Sequence, residues 1–163
     1  MASTTEHVLH RTMVATFEEL GHMVPDLELS PAQQAAPADA VVSVAFRGPL
    51  SGRLILRVSS VILPDLTANM LGSQVASDTS LQRDALGELA NVICGNLLPQ
   101  VAGSGTVFML SAPHWQAENE GISDAHGTVR ARATLGVDNG KAIAELMLFG
   151  EESGTDNVVP AVA

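Results

Sequence analysis

Residues 84–96 read DALGELANVICGN, and one helical period organises them. At about 100° per residue, with Asp84 at zero, Glu88 falls at about 40°, Asn91 at about 340° and Gly95 at about 20°. Leu86, Leu89, Ile93 and Leu97 gather on the opposite side. Such a helix buries one face and shows a narrow line of Asp, Glu, Asn and Gly on the other. Asn is a poor choice inside a helix, and Gly87 and Gly95 each cost roughly 1 kcal/mol against Ala. Small residues beside a polar line admit a close approach by another backbone or by a phosphorylated group. A carboxylate one turn from a carboxamide offers an anchor for a cation and an orienter for a water. The same spacing also describes a solvated helix face with packing glycines, and on spacing alone both readings stand.

The helix is expected over roughly 80–99, capped by Asp78 or Ser80 and closed by Pro99. Before it, a short helix of about 61–71 carries Pro64 in its first turn and stops at Gly72. Earlier still, Val42, Val44 and Phe46 alternate with Ser43 and Ala45, and Leu54, Leu56 and Val58 with Arg53, Ile55 and Arg57. Gly48-Pro49 and Gly52 lie between the two runs, which reads as an antiparallel pair. Ser3 and Glu6 form a capping box, followed by Val8, Leu9, Met13, Phe17 and Leu20 at helical spacing, with Gly21 and Pro25 as stops. The stretch SPAQQAAPADA, 30–40, reads as a mobile loop or insert.

Strands dominate the last third. Thr106–Ser111 is one, and a hairpin of about 127–137 and 141–149 turns at Asp138-Asn139-Gly140, a type I′ signal. The strand AIAELMLFG, 142–150, is apolar on both faces except at Glu145, so it is either central in the sheet or shared across a subunit boundary. The tail, 151–163, has no periodicity and is expected to be flexible. The order α-β-β-α-α-β-β-β argues for an α+β layered sandwich in one domain over 1–150, with two long helices packed on a mainly antiparallel sheet.

Composition removes several function classes. The 163 residues are 46% apolar with a mean hydropathy of +0.23, which excludes global disorder. Eighteen acids against eight bases leave a net charge of −10, a poor match to nucleic acid or to an anionic membrane surface. The N-terminus does not read as a signal peptide and no apolar run is long enough to span a membrane, so a cytoplasmic location is expected. Cys94, the sole cysteine, falls at about 280° on the wheel and reads as a small residue at the core's margin. His7 and His10 are helical neighbours without a third ligand at a recognisable spacing, and no metal site is expected. Neither GxSxG, GxGxxG nor GxxxxGK[ST] occurs. The methionines at 13, 23, 70, 109 and 147 read as core or interface filling, and Trp115 as an exposed anchor or a half-buried ring.

Asp84-x3-Glu88-x2-Asn91, with Pro113 following after 21 residues, resembles the (Asp/Ser)-x3-Glu-x2-Asn-x21/22-Pro signature of the CheX/CheC/FliY family of chemotaxis phosphatases. The flanks ATFEELGHM, FRGPLSGRLILRVSS, ANMLG and GELANVICGN stand in the order expected of a CheX-like domain over about 5–150. The resemblance implies a protein phosphatase acting on the aspartyl-phosphate of a CheY-type response regulator. It implies that Glu88 pairs with a receiver lysine and docks the helix, and that Asn91 directs its amide at the attacking water. Asp84, Gly87 and Gly95 would face the partner, and Mg²⁺ would come with the receiver, the chain having no cofactor of its own. CheC-type members carry a second Glu-x2-Asn on an earlier helix, whereas TFEELGHM has no Asn three after Glu18 or Glu19, so a single site is implied. The resemblance also implies a homodimer formed through sheet edges. The competing class is a non-catalytic dimeric adaptor of the same fold that binds a receiver or another two-component signalling protein.

Overall fold

The computed structural model describes residues 3–116 and 127–150. Helix α1 spans Thr4–Glu19 and α2 Pro31–Ala35; strands β1 (Ala40–Arg47) and β2 (Gly52–Val58) follow. A 3₁₀ turn, Ser60–Ile62, leads into α3 (Leu63–Leu71), and α4 runs Thr79–Ala102. Two short strands, β3 (Met109–Leu110) and β4 (His114–Trp115), precede the hairpin of β5 (Gly127–Val137) and β6 (Gly140–Phe149).

The sheet order is β3-β1-β2-β6-β5, with β4 also pairing β1, and every pairing is antiparallel. This is the layered α+β sandwich expected. Helix α1 packs on β5, α4 packs on β1 and β2, and α4 also touches α1 and α3, so the helices form one layer on one face. Period-2 alternation makes that layer's core: Val42, Val44, Leu54, Leu56, Ala144 and Leu146 turn inward beneath Leu9, Met13, Phe17, Leu86, Leu89 and Ile93, all fully or nearly fully buried. The intervening residues of β2 and β6, Arg57 and Glu145 among them, turn to the other face. There Glu145 is shared by Arg57 at 3.2 Å and Arg132 at 3.5 Å.

The local signals behave as their chemistry directs. Ser3 Oγ accepts from the Glu6 N–H at 3.0 Å while Glu6 Oε1 accepts from the Ser3 N–H at 3.1 Å, completing the capping box of α1. Strand β6 lies between β2 and β5, so its two apolar faces reflect a central position in the sheet. Cys94 is fully buried in the core rather than at its margin.

Several expectations are corrected. Residues 31–35 form a helix: Ser30 and Gln33 make a second capping box, Pro31 occupies a permitted N-terminal position, and Gln33 is buried. Helix α4 passes Pro99 and ends at Ala102. Pro99 has no donor for the Gly95 carbonyl and its ring crowds that carbonyl, yet the turn resumes with the Gly103 N–H donating to the Pro99 carbonyl at 2.9 Å. The strand expected over 106–111 is ordered on β1 only at Met109–Leu110, and Met109 is exposed. In the hairpin turn Asp138 has φ +51° but Asn139 does not share the left-handed region, so the turn lacks the two left-handed residues of type I′. The tail after Gly150 and residues 117–126 lie outside the described residues.

Candidate functional site

Helix α4 is anchored at its start by Asp78, whose Oδ1 accepts from the Leu81 N–H at 3.1 Å. Its buried side is Ala85, Leu86, Leu89, Ala90, Ile93, Cys94, Leu97 and Leu98. The wheel drawn from the sequence is therefore realised, and its polar line points outward. Asp84, Glu88 and Gly95 are exposed, and Asn91 is half-buried among them. Three consecutive turns thus carry a carboxylate, a second carboxylate with a carboxamide, and a bare backbone.

Asn91 is the unusual member. Its Oδ1 is buried and accepts no hydrogen bond from any described residue. An unmet buried acceptor costs about 1–3 kcal/mol, so the fold keeps this oxygen unsatisfied at a price that a Leu or Ala here would avoid. Gly95, one turn on, leaves the space beside it open: a Cβ there would meet nothing within 4 Å.

Gly87 departs from the expectation that it faces a partner. It is buried, and a Cβ there would lie 3.0 Å from Pro113 Cβ and 3.1 Å from its Cγ. The proline 22 residues after Asn91 is thereby brought back onto the helix, one turn before Asn91. Arg83, one turn earlier again, stacks on Trp115 with its Cζ 4.9 Å from the ring centre, and that ring is half-buried. Sequence reasoning missed both contacts. Their only trace in the sequence is the fixed spacing to Pro113, which says that something meets the helix but not where.

Other chemistry is thin. Burial pushes the Cys94 thiol up to about 12, so no thiolate forms near neutral pH. Among the described residues no group of three or more His, Cys, Asp and Glu is arranged to hold a metal ion. None of their helices is long and apolar enough to cross a membrane. A cavity of about 550 Å³ opens between α1 and α4, lined by Arg11, Thr16, Glu19, Asn96 and Gln100. Neither Glu88 nor Asn91 lines it, and a line of exposed side chains on a convex helix suits a macromolecular surface better than a small ligand.

The sequence model of the chemotaxis phosphatase CheX matches residues 40–135, which include all of α4 and Pro113. The fold is similar to a chemotaxis protein CheX from Desulfovibrio desulfuricans, with TM-score 0.68 and 16% identity over 90% of this chain and 99% of that one. It is equally similar to CheX from Vibrio vulnificus, TM-score 0.68 and 16% identity over 90% and 97% of the two chains. A CheX–CheY–BeF₃–Mg²⁺ complex from Borrelia burgdorferi matches with TM-score 0.61 and 14% identity over 87% and 95%. No curated protein sequence matches significantly.

Proposed function

The chain belongs to the CheX family of chemotaxis phosphatases, and on that premise we propose that it hydrolyses the aspartyl-phosphate of a CheY-type receiver domain, with Glu88 docking the helix and Asn91 aligning the water. The observation that carries this reading is the outward line on α4, with the half-buried Asn91 carboxamide three residues from the exposed Glu88 carboxylate. A water in line with the phosphorus hydrogen-bonds to the Asn91 carboxamide and presents its lone pair to the phosphoryl group. Its oxygen forms the new P–O bond as the bond to the receiver's aspartate breaks. The aspartate leaves as carboxylate, and the water's proton departs with orthophosphate.

Such a reaction needs position and charge more than covalent help. Alignment worth roughly 3–4 kcal/mol in the transition state gives a few hundredfold in rate. Glu88 pairs with a receiver lysine, and Asp84, one turn earlier on the same line, adds to the negative field that this cation meets. Gly95 lets the receiver's backbone close on the helix. Gly87 acts indirectly, through Pro113. The Borrelia complex supports the partner class and a Mg²⁺ that arrives with the receiver. A homodimer through the sheet edges, at β3/β4 or at β5, belongs to the same reading.

The test is the loss of phosphate from a panel of Mg²⁺-loaded phosphorylated receivers, with and without this protein. Acceleration of one receiver's decay supports the phosphatase and names its substrate. A stable complex without acceleration would leave an adaptor on a phosphatase fold.

A further inference from the structure

Arg83, Gly87 and Asn91 stand four residues apart and therefore share one side of α4. The edge of the sheet covers the first two in order: Trp115 meets Arg83 at 4.9 Å, and Pro113 meets Gly87. The edge chain thus runs antiparallel to the row, and Asn91 is the next place along it. A helical side chain leans toward the helix N-terminus and covers the turn before its own Cα. The Asn91 carboxamide accordingly leans over the turn of Gly87, where the Pro113 ring sits. On its other side Gly95 offers no side chain. The buried Oδ1 belongs to a side chain that this lean carries toward the turn on which Pro113 sits.

That edge chain is itself fixed at both ends. Trp115 pairs with Val42 and His114 with Ser43, and the Gln116 N–H donates to the Val41 carbonyl at 2.8 Å. Before Pro113, the Ser111 N–H donates to the Ala45 carbonyl at 2.8 Å, while the Ala45 N–H donates to Ser111 Oγ at 3.0 Å. A proline ring between two anchored points has little freedom to retreat.

We propose that Pro113–Trp115 is the positioning element of Asn91: Trp115, held between Arg83 and β1, seats the Pro113 ring so that the carboxamide keeps one orientation. Gly87 is the residue that allows it, since a Cβ there would press on Pro113 at 3.0 Å and displace its ring from this seat. The inference rests on Asn91 being the side chain that aligns the water, but its first test needs no activity. The side-chain NH₂ signals of Asn91, assigned by their loss in Asn91→Ala, are followed in ¹H–¹⁵N spectra of the full chain. Trp115→Leu is expected to shift and broaden them while the amides of α1 and β6 stay in place, and Trp115→Phe to restore them.

With a phosphorylated receiver, Trp115→Leu should lower kcat about tenfold with KM within about twofold, because docking by Glu88 is untouched. Arg83→Ala should cost roughly two- to fivefold, the worth of an exposed cation–π contact. In an Asn91→Ala background Trp115→Leu should cost nothing further. Unmoved Asn91 signals in a folded Trp115→Leu protein, or a full additional loss in the Asn91→Ala background, would overturn the proposal. Moved signals in a protein that hydrolyses no receiver phosphate would uphold the positioning and sink the phosphatase reading instead.

Discussion

Gly87 and Gly95 lie about two turns apart on one helix and do opposite things. Gly87→Ala brings a Cβ to 3.0 Å from Pro113, and overpacking of about 1–3 kcal/mol, set against about 1 kcal/mol of regained helix propensity, leaves a net loss of up to about 2 kcal/mol, readable as a lower urea midpoint. Gly95→Ala meets nothing within 4 Å and gains up to about 1 kcal/mol of helix propensity, so the midpoint should rise. Yet the same methyl stands where the receiver is proposed to approach, so affinity for the phosphorylated receiver should fall as stability rises. A Gly95→Ala protein that binds and turns over normally would remove Gly95 from the docking face. Asp39 shows how a single carboxylate ties two elements. Partial burial works to raise its pKa, but the Ser60 N–H and hydroxyl, each donating at 2.8 Å, outweigh this and hold it below its ordinary 3.8. A depressed carboxyl stabilises the fold above its unfolded value and loses that contribution as pH falls through its folded value. Asp39→Asn should therefore lower stability at neutral pH, and the gap to wild type should close below about pH 3.8 in acid titrations of the urea midpoint.

At the scale of elements, α2 turns a stretch with the composition of a loop into a brace. Buried Gln33 donates through Nε2 to Asp26 Oδ2 at 2.9 Å and to the Asp138 carbonyl at 2.8 Å, across 105 residues. Lys141 Nζ adds a hydrogen bond to the Gln34 carbonyl at 2.7 Å. Gln33→Ala leaves the Asp138 carbonyl without this donor and opens a void, so a loss of about 1–3 kcal/mol is expected in chemical denaturation, with receiver turnover retained. This brace also marks where sequence reading stops. Helices α1, α3 and α4, the β1–β2 pair and the β5–β6 hairpin were legible because period, caps and turn residues agree locally. Residues 31–35 were misread although Ser30, Pro31 and Gln33 carry a local start signal, because their Pro, Ala and Gln composition reads as a loop; only the tie from Gln33 to Asp138, across 105 residues, has no trace in the sequence. The turn type was misread as well, since Asp138 and Asn139 both tolerate the left-handed region but only Asp138 adopts it. Pro99 looked like a stop because the chain alone does not show Leu97 and Leu98 packing the last turns of α4 into the core. The polar line Asp84, Glu88, Asn91 and Gly95 was legible residue by residue. Gly87 was not, since its neighbour is Pro113, and nothing local announces that contact.

For the whole molecule, charge and layering set the terms of recognition. A net charge of −10 with Asp84 and Glu88 outward on α4 presents a negative field, which would draw in the lysine of the proposed receiver partner. Raising ionic strength from about 0.01 to 1 M shortens the screening length from about 30 to 3 Å, so KM should climb with salt while kcat holds. A falling kcat at constant KM would mean that charge acts in the chemical step instead. Because the helices form one layer on the sheet, α4 is held from beneath by β1 and β2 and from the side by α1 and α3, which leaves its polar line outward. The most direct measurement compares wild type with Asn91→Ala on one Mg²⁺-loaded phosphorylated receiver, following phosphate release and complex formation together. Loss of roughly a hundredfold or more in phosphate release, with receiver affinity changed less than about threefold, is the expected result. Undiminished release by Asn91→Ala would contradict the assignment of the water-aligning role to this side chain.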